Sequence, residues 1–87
     1  MLNTNTKTAR KIVRKILKDA NVFISTDTWT NMCADDRLRN LCFITKGLTD
    51  DVVEHIALNL NVSAVRKTKC NFGYGDLEYL RVVHCTI

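Results

Sequence analysis

Six cations stand in one row near the start of the chain: Lys7, Arg10, Lys11, Arg14, Lys15 and Lys18, with no acid before Asp19. Lysine and arginine so placed suit contact with phosphates, where each releases condensed counterions and arginine can fork onto two oxygens. A second group, Arg66, Lys67 and Lys69, precedes Asn71-Phe72-Gly73-Tyr74-Gly75, which sets two aromatics on a glycine-bearing turn beside cations. Aromatic rings next to bases hold single-stranded nucleic acid by stacking, worth about 1–3 kcal/mol per base, over a charged track. Both groups also have a plainer reading. The row suits a solvated face partly neutralised by acids elsewhere, and Phe72 and Tyr74 suit a pair that folds back to cap the core.

The other reactive side chains form no recognisable catalytic or metal-binding pattern. Cys33, Cys42, Cys70 and Cys85 are separated by eight, twenty-seven and fourteen residues, with no C-x-x-C pair. His84 and Cys85 are neighbours that point to opposite sides of a strand, and His55 sits on the flank of a helix, so buried apolar thiols account for the cysteines better than zinc does. Asp27, Asp35, Asp36 and His84 would have to converge from separate segments to serve a small nuclease, and Asp35-Asp36 reads as polar loop. There is no Gly-rich phosphate loop and no nucleophile beside a recognisable base. The expectation is a non-catalytic chain that needs no cofactor and no metal ion. Trp29, between two threonines, suits a core or interface anchor.

What must position the cationic row is a helix. Ala9, Ile12, Val13, Ile16, Leu17 and Ala20 recur at helical spacing, so at about 100° per residue they fill one arc and the six cations the opposite one. Residues 1–6 are polar and predicted to fray, with Thr4 or Thr6 as N-cap. Val22, Phe23 and Ile24 open a β-branched and aromatic run toward Thr30, and a second strand runs from about Leu38 to Thr45 until Gly47 breaks it. Thr49 caps a second helix in which Asp50 and Asp51 meet the positive dipole end and Leu48 staples onto Val53. Its buried stripe is Val52, Val53, Ile56, Ala57 and Leu60, and its outer face is acidic with Asp50, Asp51 and Glu54. A strand from Val62 to about Lys69, a turn through Asp76 and a strand from Leu77 to Thr86 complete the chain.

The order αββαββ predicts an α+β fold: a two-layer sandwich whose four-stranded antiparallel sheet carries both helices on one face, with residues 1–87 as a single domain. The halves can be laid over each other at an offset of forty, Val13 on Val53, Ile16 on Ile56, Asn21 on Asn61 and Val22 on Val62, or of thirty-nine, Leu41 on Leu80. In the last strand Leu77, Tyr79, Val83, Cys85 and Ile87 form one set, while Leu80 and Val82 on the other are also apolar. The second face is thus partly apolar, which suits a homo-oligomer, a protein partner, or cover by strand twist and long connections.

Charge narrows the partners. Of thirteen Lys and Arg against nine Asp and Glu, residues 1–20 hold six bases and one acid, so the net +4 belongs to the first helix. The start has no apolar h-region and KIVRKIL is interrupted by charge, which predicts no signal peptide, no membrane span, and reduced thiols in the cytoplasm. The aromatic-glycine alternation at 71–75 is similar to that of RNA-recognition-motif strands, but its glycines fall in a turn and αββαββ is not that fold's order. The first functional expectation is a non-catalytic module that binds RNA, or non-specific duplex, since no helix-turn-helix or zinc finger supports a defined DNA site. The second is a small interaction protein that blocks or adapts a nucleic-acid enzyme, toxin or defence factor. In style, though in no motif, the chain resembles the accessory proteins that tailed phages turn against host machinery. Its partner would be an acidic or nucleic-acid-binding protein, with RNA able to bridge the two.

Overall fold

The computed structural model describes residues 2–32, 35–71 and 75–86, and their side chains except at 26–29, 31–32, 68–71 and 75–77. The elements are α1 (Thr6–Asp19), β1 (Phe23–Met32), β2 (Leu38–Lys46), α2 (Asp50–Leu60), β3 (Ser63–Asn71) and β4 (Gly75–Cys85). All strand pairings are antiparallel and the strand order is β1-β2-β4-β3. The expected α+β arrangement of two helices and a four-stranded antiparallel sheet is therefore present.

Strand alternation decides which face the helices cover. Leu41 pairs with Val82 and Phe43 with Leu80, and all four are buried in one cluster with Ala9, Val13 and Leu17 of α1 and Ile56 of α2. Alternate residues of the same strands, among them Tyr79, Arg81 and Val83, turn to the opposite face. That face carries exposed Arg81, Val65 and Lys67. Its apolar content is diluted by cations, a distinction hidden while Leu80 and Val82 could be assigned to either side.

The two helices end alike. Asn21 and Asn61 both adopt positive φ, 60° and 50°, and each is followed by a buried valine whose N–H closes the helix, Val22 onto Leu17 O at 3.0 Å and Val62 onto Ala57 O at 3.1 Å. This is the left-handed helix stop that Asn tolerates. At the offset of thirty-nine, Cys42 corresponds to Arg81, and these two residues face each other across the central β2–β4 ladder. The two halves thus meet at the β2–β4 ladder, each supplying one inner and one outer strand.

Two local expectations change. The N-cap of α1 is Asn5, whose Oδ1 accepts from Thr8 N at 2.8 Å, rather than Thr4 or Thr6. Leu2 to Thr4 pair with the end of β4: Cys85 N donates to Leu2 O and Thr4 N to Cys85 O, both at 3.1 Å, with Leu2 packed on the core. That anchor sets where the helix can begin and selects Asn5. Thr49 caps α2 as predicted, accepting from Val52 N, with Leu48 buried beneath. Gly47 supplies the φ of +84° that the turn from β2 requires. The β3–β4 ladder runs to Asn71↔Gly75, so Gly75 belongs to β4 rather than to the turn.

Candidate nucleic-acid interface

Helix α1 forms because Ala9, Val13 and Leu17 can be sealed against the sheet, at 0–1% exposure each. Once that stripe is docked, helical geometry leaves the cations outside. Lys7, Lys11, Lys15 and Lys18 are exposed, and Arg10 and Arg14 at the margins are half-buried. Arg10 leans on β1, its Nη2 donating to Thr30 Oγ1 at 2.8 Å. Lys18 also lies in the last turn, where a cation offsets the negative end of the helix dipole.

Neutralisation by the second helix is the obvious competing fate of this row. Asp50 is spent elsewhere, 3.3 Å from Arg66 Nη2 of β3. Asp51 lines a cleft of about 310 Å³ between the helices, together with Asp19, Ile16, Ala20, Val52 and His55. Asp19 and Asp51 therefore lie on the side of α1 that meets α2. Among the described residues the ion pairs are Arg66–Asp50 and Arg37–Asp35, and none of the four α1 lysines takes part in one.

On its other flank α1 borders a groove of about 670 Å³, lined by Arg14, Lys15 and Lys18 from the helix and by Val22, Phe23, Ile24 and Ser25 from the start of β1. The groove exists because β1 is an outer strand and because its register slips by two residues between Ile24↔Thr45 and Thr28↔Phe43, a bulge that bends the edge. Val22 is buried and Ile24 packs on the core, so the residue between them turns out: Phe23 is 62% exposed. Its partner across the ladder is Lys46, also exposed.

The second cationic group does not form one surface. Arg66 faces the helices, holding Leu48 O through Nη1 and Asp50 through Nη2, both at 3.3 Å, whereas Lys67 turns to the other face and is exposed. The side chain of Lys69, and Phe72 and Tyr74 altogether, lie outside the described residues. β3 is the outer strand farthest from β1, so α1 and the Arg66–Lys69 segment sit toward opposite edges of the sheet.

Asp35 and His84 have structural employment. Asp35 accepts from Arg37 N, Nε and Nη2 at 2.9, 3.2 and 3.0 Å, and this guanidinium holds its carboxyl below the usual range. His84 is fully buried on the helix side, and burial pushes its imidazole down from the ordinary 6.5. Cys42 is buried and free; burial raises its thiol, with Arg81 opposing the shift. Cys85 is likewise a free thiol. Among the described residues no three of His, Cys, Asp and Glu converge, and none of their helices is long and apolar enough to cross a membrane.

Phe23 and Lys46 were not selected by sequence reasoning, although a signal exists. Val22 and Ile24 in phase with the core leave the residue between them facing out, directly after six cations. Known protein families, characterised proteins and solved structures offer no significant match to this chain.

Proposed function

We propose that this protein is a non-catalytic nucleic-acid-binding module that grips the phosphate backbone, of RNA in preference to duplex DNA, through the outward face of α1. The observation that carries the reading is the exposed lysine set Lys7, Lys11, Lys15 and Lys18, unpaired among the described residues while Asp50 is engaged by Arg66 and Asp51 lies in the cleft between the helices. The four lysines follow one another at about one helical turn along one face of α1, a row of charges that suits phosphates and reads no sequence by itself.

The test is a salt titration of binding to a labelled oligoribonucleotide, with wild type beside K11E/K15E. Log affinity should fall with log salt, and the double variant should flatten the slope by about 1.4, roughly 0.7 for each lost single-strand contact. Equal slopes in the two proteins would reject the reading. The second possibility is an accessory role against an acidic or nucleic-acid-binding protein. It would be favoured by salt-insensitive, weak oligonucleotide binding together with a stoichiometric protein complex.

A further inference from the structure

We infer that the groove between the end of α1 and the start of β1 is a single-strand site, in which one unpaired base stacks on Phe23 while its flanking phosphates lie on Lys15 and Lys18. The inference rests on the nucleic-acid reading above and adds to it a preference for unpaired strands. Three observations converge on it. Phe23 is 62% exposed at the rim of a groove of about 670 Å³, a room compatible with one nucleotide. The helix wall of that groove is cationic, with exposed Lys15 and Lys18 and half-buried Arg14, while Asp19, one turn beyond Lys15, lines the cleft toward α2. Exposed Lys46 stands across the ladder from Phe23 and places a further cation beside it on the strand.

Charge and ring together select the ligand. A surface that bound duplex alone would need only the cations, because stacked and paired bases do not offer a face to Phe23. An acidic peptide would satisfy Lys15 and Lys18 but gain little from an exposed phenyl ring. A single strand uses both, since every unpaired base has a π-face and its phosphates lie within reach of lysines on either side. The bulge in β1 keeps the edge from offering a regular ladder to another strand, which leaves the groove open to side-chain recognition.

The experiment measures anisotropy of a labelled twelve-nucleotide oligouridylate and of a twelve-base-pair RNA duplex at one salt concentration, for wild type, F23A, F23W and K15E/K18E. Wild type should favour the single strand. F23A should lose roughly 5- to 150-fold in single-strand affinity, the equivalent of about 1–3 kcal/mol of stacking, while its duplex affinity and salt slope stay unchanged. F23W should keep single-strand affinity, and its fluorescence should be quenched on binding by more than that of wild type, which already carries Trp29. K15E/K18E should weaken both ligands. An F23A variant that matches wild type, or that loses both ligands equally, overturns the single-strand site while the backbone-binding reading stands. Absence of salt-dependent binding to either oligonucleotide by wild type overturns both readings. Tighter binding of polyglutamate, unaffected by F23A, assigns the groove to an acidic peptide and overturns the inference.

Discussion

His84 shows how a single residue couples this core to pH. Its ring is fully buried, Nδ1 lies 3.2 Å from Cys85 O, and Nε2 has no partner among the described residues. Burial holds the folded imidazole below 6.5, and Arg39, opposite it in the β2–β4 ladder, adds a like charge that disfavours protonation. When pH falls below about 6.5, the unfolded chain takes up this proton and the folded chain resists it. The unfolded state then binds more protons, so this residue lowers stability as pH falls through that window and has no effect well above it. H84L should flatten the loss of urea-measured stability between about pH 7 and pH 5. It should cost little at pH 7, because Cys85 O still accepts from Thr4 N and the unpaired Nε2 is removed. Parallel pH profiles for the two proteins would show that the imidazole is not sealed as described.

At the scale of elements, the two helix stops carry the same load in the same way. Asn21 and Asn61 occupy the left-handed region, where a residue with a Cβ and no local polar group costs roughly 1–2 kcal/mol and Asn costs less. N21A and N61A should therefore each lower stability by about 1 kcal/mol, measured as a shift in urea midpoint at unchanged m-value. An unchanged midpoint in both would mean that the buried valines, rather than the stops, end the helices. These stops were legible as Asn-Val pairs forty residues apart, as were the α1 stripe and the Thr49 cap, because each depends on residues within one or two turns. The N-cap at Asn5 was not. Thr4, Asn5 and Thr6 are all competent, and the choice is made by pairing with Cys85 at the other end of the chain. The bulge in β1 is equally silent locally, since it is defined by register against β2, and with it the groove that exposes Phe23.

Across the whole molecule, charge is sorted by layer and by edge. α1 touches β1 and β2 and turns its lysines away from α2, whereas α2 lies over β3 and gives Asp50 to Arg66. Sequence reasoning treated Arg66, Lys67 and Lys69 as one cationic group for phosphates beside the α1 row, because cation counts carry no information about faces. Strand alternation separates them: Arg66 is engaged beneath α2, and Lys67 emerges on the face away from both helices. At about 4.8 Å per strand, β3 lies about 14 Å across the sheet from β1, beyond a screening length of about 8 Å at physiological salt. A backbone seated on α1 then gains nothing from Lys67 unless it also wraps the β3 edge. K67E should leave the salt slope of oligonucleotide binding unchanged, while the single reversal K15E, of identical charge change, should lower it by about 0.7. Equal flattening by the two would mean that the strand crosses the open sheet face, and the contact surface would have to be redrawn around Arg81 and Lys67 instead of the helix.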